Sequence, residues 1–79
     1  MMIQLRIISP QREVLSVEAD LVELPGEMGR FEVLKDHAPL ISSLTAGKIR
    51  YVRGGEQHEI ETQPGFVEVR HNVVTVCIG

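Results

Sequence analysis

Ile3, Leu5 and Ile7 alternate with Gln4 and Arg6, the period-two pattern of a strand with one buried face. Ser9-Pro10 ends that run. Between Gln11 and Leu24 two periods overlap: Val14, Val17, Leu21 and Leu24 repeat at helical spacing, while Leu15, Val17, Ala19 and Leu21 repeat at strand spacing against Ser16, Glu18 and Asp20. The β-branched content and the change of phase at Leu21-Val22 favour two short strands, or one with a bulge, over a helix. Pro25-Gly26 carries the chemistry of a type II turn, with φ fixed at the second position and positive φ available at the third. Gly29 offers a second point of bending. Phe31, Val33 and Leu34 form a brief apolar segment that Asp36-His37-Ala38-Pro39 interrupts, because Pro39 keeps Ala38 out of helical geometry.

Leu40, Ile41 and Leu44 make the next apolar segment, and Ala46-Gly47 turns the chain. Lys48 to Arg53 alternates around Ile49 and Tyr51. Gly54-Gly55 is the strongest hairpin signal, since both central residues accept positive φ. Glu56 to Gln63 returns as a mostly polar strand with Ile60 in its middle, the pattern of a solvated edge. Pro64-Gly65 repeats the type II turn pattern, and His71-Asn72 links the segment Phe66, Val67 and Val69 to Val73 through Ile78. Short strands with turn signals at this spacing predict an all-β fold, a sandwich or barrel of about eight to ten short strands with almost nothing left for helices.

The 79 residues form one domain, 1–79, with no internal repeat, low-complexity segment or linker. A domain this small is expected to hold a core worth only about 3–5 kcal/mol, so docking on a partner would be a natural supplement. Phe31, Tyr51 and Phe66 are the only aromatic residues, which makes the predicted core aliphatic. Eight basic against eleven acidic residues leave a net charge of −3, no field for nucleic acid or anionic lipid. A single cysteine, Cys77, excludes an internal disulfide framework and favours a reducing compartment. No run approaches the roughly 18 apolar residues of a membrane helix, so work near a membrane is expected to depend on another protein.

Candidate chemistry is thin. No phosphate-binding loop is present, and no Ser or Cys has a base beside it. His37, His58 and His71 fall on a loop, a polar strand and a turn, without a second ligand at metal-binding spacing, so no metal or other cofactor is expected. Glu59 and Glu61 share a strand face, as paired carboxylates do in acid–base catalysis and, far more often, on solvated edges. Cys77 lies in an apolar strand and is expected to be a small buried hydrophobe. His37, between Asp36 and Ala38-Pro39, reads as a turn residue whose ring bonds nearby backbone or the Asp36 carboxylate. Gly26-Glu27-Met28-Gly29-Arg30 reads either as a solvated tip or as a small contact site with an adaptable Met between opposite charges. A free-standing ligand-binding sandwich would need a concave apolar pocket with convergent polar groups, and a cupin-like enzyme would need several metal ligands.

Leu24-Pro25-Gly26-x-x-Gly29, followed by Val33-Leu34-x-x-His37-Ala38-Pro39-Leu40, resembles the signature of the epsilon subunit of F-type ATP synthases, in its N-terminal domain. Ile8-Ser9-Pro10 with Leu15-Ser16, Gly47-Lys48-Ile49-Arg50, Gly65 to Val69 and Val73 to Val76 agree with it in order, so the resemblance covers essentially the whole chain. It implies a flattened β-sandwich of two five-stranded sheets. It further implies a non-catalytic central-stalk, or rotor, subunit of a proton-translocating ATP synthase. Such a subunit docks on the gamma subunit and on the c-ring, and couples proton-driven rotation to ATP synthesis. The implied location is peripheral, at the cytoplasmic face of the bacterial inner membrane, held there through partner subunits.

By the same resemblance Ser9, His37, Ala38, Pro39, Leu40 and Ser42 face gamma, and the loop of Gly26, Glu27, Met28, Gly29 and Arg30 touches the polar loops of the c-ring. Docking of standard size predicts an exposed apolar patch on the body. Arg30 and Glu32 stand where many epsilon subunits have an acidic residue and a glycine, which leaves the sign of the charged contact open. Epsilon subunits usually continue into a helical hairpin that restrains ATP hydrolysis. This sequence ends at Gly79 before it: either the natural subunit is short or the sequence was cut there, and the opening Met1 favours the first expectation.

Overall fold

Ile3, Leu5 and Ile7 are wholly buried while Arg6 is exposed, so the opening alternation becomes one strand with its apolar side turned inward. In the computed structural model, which describes residues 2–79, the same logic repeats through nine strands. They are β1 (Ile3–Ile8), β2 (Glu13–Ala19), β3 (Leu21–Gly26), β4 (Gly29–Val33), β5 (Leu40–Leu44), β6 (Gly47–Arg53), β7 (Glu56–Thr62), β8 (Gly65–Arg70) and β9 (Val73–Ile78). The stretch from Gln11 to Leu24 is two strands broken at Asp20, not a helix. Asp20 stays at the break because its N–H donates to Val52 O at 2.7 Å and its carboxylate accepts from the Gly54 N–H at 3.2 Å.

All nine strands belong to one hydrogen-bonded sheet, ordered β2-β1-β9-β8-β5-β3-β6-β7 with β4 on the free side of β3. The expected two sheets are therefore two layers of a single curled one. One layer holds the five strands β2, β1, β9, β8 and β5. The other holds four, β4, β3, β6 and β7, instead of five. β3 makes the corner: Leu21 to Glu23 pair with β6, and Gly26 pairs with Leu44 of β5. Its partner strand crosses between layers at Thr45-Ala46, where the Thr45 N–H donates to Pro25 O at 2.9 Å. Such corners let a sheet fold over its own core without leaving backbone groups unpaired.

The core is aliphatic as the composition requires. Ile3, Leu5 and Ile7 of β1, Val74 and Val76 of β9, and Val67 and Val69 of β8 meet Val22 and Leu24 of β3, Val33 of β4 and Ile49 of β6. β7 is the polar edge expected of it, with only Ile60 and Thr62 turned inward. The Gly54-Gly55 hairpin has φ of 57° and 83°, and His71-Asn72 has 51° and 62°, so both two-residue links take positive φ at both central positions.

Three expectations are corrected. Pro25 and Gly26 are not a type II turn; both lie in β3, and the reversal falls on Glu27-Met28, with positive φ at Gly29 instead. Gly26 is needed for space: a Cβ there would lie 2.7 Å from Gly29 O and 2.9 Å from the Phe31 ring. Pro64-Gly65 is not a type II turn either, since Gly65 opens β8 opposite Ile78 and Leu44, where a Cβ would sit 2.0 Å from Cys77 O. Close backbone approach, not positive φ, selects glycine at both sites. Cys77 is half-buried rather than a core residue, because Val74 and Val76 take the inward positions of β9.

Candidate docking surfaces

The pairings Gly26–Leu44, Leu44–Gly65 and Gly65–Ile78 put one end of β3, β5, β8 and β9 together. The β3–β4 hairpin projects there, closed by the Gly26–Gly29 pair. At its tip Met28 is 100% exposed, and the Glu27 N–H donates to Ser43 O at 3.1 Å, tying the tip to β5. Arg30 does not extend with them. Its Nη2 donates to Glu23 Oε1 at 3.2 Å and to Lys48 O at 2.8 Å, back along the hairpin and across to β6. Arg50 Nε shares the same Glu23 oxygen at 3.2 Å, and Arg50 Nη2 lies 3.6 Å from Glu32 Oε2. The Arg50 hydrogen bond holds the Glu23 carboxyl below the usual carboxylate range; partial desolvation opposes this, and Arg30 adds to the lowering. Glu32, the second departure from the epsilon pattern, thus belongs to a charge lattice on the outer side of the four-stranded layer.

The opposite end carries Asp36 to Pro39. The His37 N–H donates to Leu34 O at 3.1 Å, and its ring Nδ1 lies 2.7 Å from Ala38 O, the local backbone contact read from the sequence. The Asp36 N–H donates to Asn72 Oδ1 at 2.6 Å, Asn72 Nδ2 donates to Asp36 Oδ1 at 3.2 Å, and the Gln4 N–H donates to Asn72 O at 2.9 Å. Both Asp36 and Asn72 have positive φ, 64° and 62°. Asp and Asn tolerate that region because their short polar side chains bond locally.

The six residues assigned to a gamma-facing surface do not form one patch. His37, Ala38 and Pro39 cluster at this end. Leu40 and Ser42 follow on β5 but pair with Val69 and Val67, so their side chains share the inner side of the sheet. Ser9 lies at the other end, where it closes the β1–β2 link by accepting from the Arg12 N–H at 3.3 Å and donating to Arg12 O. Two residues that the motif reading passed over stand out instead: Ile41 is 73% exposed and Phe66 50%, both on the outer side of the five-stranded layer. Their signal was present in the sequence, as apolar residues on the side of a strand opposite Leu40-Leu44 or Val67-Val69. Beside Phe66, an apolar groove of about 350 Å³ runs between Ile8, Pro10, Cys77 and Ile78.

The remaining candidates are engaged in ordinary contacts. His58 stacks on Tyr51 with ring centroids 5.0 Å apart, and Glu59 lies 3.6 Å from Lys48 Nζ. Among the described residues no three His, Cys, Asp or Glu side chains converge as a metal site would require, and no helix is long and apolar enough to cross a membrane. What the surface offers chemically is contact: an exposed Met on a tethered tip, a locked loop at the other end, and two exposed apolar side chains, Ile41 and Phe66, on an outer side they share with Arg6, Glu68 and Thr75.

The family model of the ATP synthase delta/epsilon chain, β-sandwich domain, matches residues 2–78. The chain belongs to this family. An ATP synthase epsilon chain of Desulfitobacterium hafniense is 50% identical over 72 residues, which cover 91% of this chain and 54% of that protein. The epsilon chain of Nitratidesulfovibrio vulgaris is 43% identical over 74 residues, 94% of this chain and 55% of that one. The chain thus spans about half the length of these epsilon-chain relatives. Among solved structures, a chain of the Euglena gracilis mitochondrial ATP synthase, resolved with OSCP, F1 and c-ring, superposes with a TM-score of 0.89 at 20% identity over 98% of this chain and 50% of that one. A chain from the Tetrahymena thermophila mitochondrial ATP synthase central stalk and c-ring gives 0.78 at 10% identity, over 99% of this chain and 63% of its own. At those identities the superpositions establish a shared fold.

Proposed function

We propose that this sandwich is a non-catalytic central-stalk subunit of a proton-translocating ATP synthase, docking on the gamma subunit and on the c-ring so that ring rotation is carried to the catalytic sites. The family match across residues 2–78 is the observation that carries this reading. The chemistry of the surface is in keeping with it, because a rotor body needs stiffness and contact area, not reacting groups.

The smaller contact is the Gly26–Arg30 hairpin, which offers Met28 and Glu27 to the polar loops of the ring while Arg30 braces it. The larger contact, against gamma, takes His37, Ala38 and Pro39 at one end and Ser9 at the other, with Ile41 and Phe66 as apolar anchors between them. Leu40 and Ser42 serve that surface from beneath, by fixing the register of β5. Attachment to the cytoplasmic face of the membrane runs through these partners.

The test uses inverted bacterial membrane vesicles stripped of their own epsilon chain. Adding this chain is expected to restore ATP synthesis driven by a proton gradient. Vesicles that bind the chain yet stay uncoupled, or that do not bind it, would refute the proposal.

A further inference from the structure

We infer that Asp36 and Asn72 form a clasp whose role is to hold the His37–Pro39 segment in its docking conformation, making Asn72 a positioning residue for a surface it does not belong to. The inference rests on the gamma-facing reading of that segment. Four strands, β5 to β8, separate the two residues in sequence: Asp36 lies in the β4–β5 link and Asn72 in the β8–β9 turn. The structure joins them reciprocally, backbone N–H to side-chain oxygen at 2.6 Å and side-chain amide to carboxylate at 3.2 Å. The Asn72 carbonyl is in turn fixed by the Gln4 N–H at 2.9 Å, so the clasp is anchored to β1, an interior strand of the five-stranded layer.

Beyond the clasp and the local contacts of His37 with Leu34 O and Ala38 O, no hydrogen bond among the described residues ties the segment to the body of the sheet. Lys35, Asp36, Ala38 and Pro39 are exposed, and no ladder pairing begins until Leu40. A loop with so few contacts samples many conformations unless something holds it, and each one lost on binding weakens affinity. The clasp removes that cost beforehand. Both partners also sit at positive φ, so each can be replaced by Gly without backbone strain, which separates the loss of the hydrogen bonds from a φ penalty.

The experiment compares the wild-type chain with Asn72→Gly, Asn72→Asp and the exchange Asp36→Asn with Asn72→Asp. Asn72→Asp sets two carboxylates against each other, whereas the exchange rebuilds the pair with donor and acceptor reversed. Two quantities are read: amide hydrogen exchange over residues 35–38, which needs no partner, and affinity for a bacterial F1 sector depleted of its own epsilon chain. Asn72→Gly and Asn72→Asp are expected to speed exchange in that segment and to weaken binding about tenfold, and the exchange variant to restore both. A merely structural pair would lower the melting temperature and leave the affinity of the folded protein unchanged. Unaltered exchange in Asn72→Gly, or failure of the swapped pair to recover, overturns the clasp. If the wild-type chain itself does not bind F1, the docking reading falls, and the exchange rates still decide whether the clasp holds the loop.

Discussion

Replacing Gly65 by Ala adds one methyl group where the structure has no room. The new Cβ would lie 2.0 Å from Cys77 O, 3.0 Å from Cys77 C and 3.1 Å from Ile78 Cα, all of them backbone atoms of the neighbouring strand. A flexible side chain could swing aside; a paired strand cannot. Overpacking alone costs roughly 1–3 kcal/mol, and parting β8 from β9 at the Gly65–Ile78 pair forfeits about 1 kcal/mol per ladder hydrogen bond. The sum, roughly 2–4 kcal/mol, is most of the roughly 3–5 kcal/mol a domain this small commands. Urea unfolding followed by circular dichroism should show the midpoint falling by about 2 M or more, at a slope near 1 kcal/mol per molar. Gly54→Ala is the control, because its Cβ meets nothing within 4 Å and pays only for φ of +57°, about 1 kcal/mol. If Gly65→Ala unfolds no earlier than Gly54→Ala, the argument from close strand approach is wrong.

Other perturbations test other parts of the account. Leu24→Ala empties a fully buried position between the layers and should cost roughly 2–5 kcal/mol, leaving the chain largely unfolded at room temperature; a cooperative melt near wild type would contradict this. Glu23 has its carboxyl held low by Arg50 and Arg30, so its contribution is complete above the usual carboxylate range and is lost as pH falls through the lowered value. Stability curves should therefore drop less on acidification in Glu23→Gln than in wild type, and parallel acid limbs would remove Glu23 from the lattice. Ile41→Asp and Phe66→Asp change exposed residues, so melting should move little while affinity for epsilon-depleted F1 falls about tenfold or more; unchanged affinity would take the anchors off the gamma-facing surface.

Period-two alternation made most of the fold legible. Ile3-Leu5-Ile7 against Gln4-Arg6 named both sides of β1, and Gly54-Gly55 and His71-Asn72 located turns whose positive φ the structure shows. The two Pro-Gly pairs misled because glycine answers to two demands. Turn chemistry reads its tolerance of positive φ, whereas Gly26 answers to crowding from Gly29 and Phe31 across its own hairpin and Gly65 to crowding from Cys77 on the next strand, and both depend on strand pairing rather than on the Pro-Gly pair itself. The single curled sheet was hidden because its corner depends on Gly26 pairing with Leu44, eighteen residues on.

Motif spacing identified the family, yet it grouped Ser9 with His37 and Ser42 although strand register sets them at opposite ends or on the inner side. The intramolecular bracing by Arg30 was not legible because its partners, Glu23 and the Lys48 carbonyl, lie on β3 and β6. Ile41 and Phe66 were visible as apolar residues on the wrong side of their strands, a signal that becomes meaningful once the inner side is known.

The most direct measurement is co-purification of the tagged chain from its native membranes, with subunit content read by mass spectrometry. The account predicts recovery of a whole ATP synthase, gamma and c-ring included. Recovery of the chain alone, or with proteins unrelated to the synthase, would contradict it.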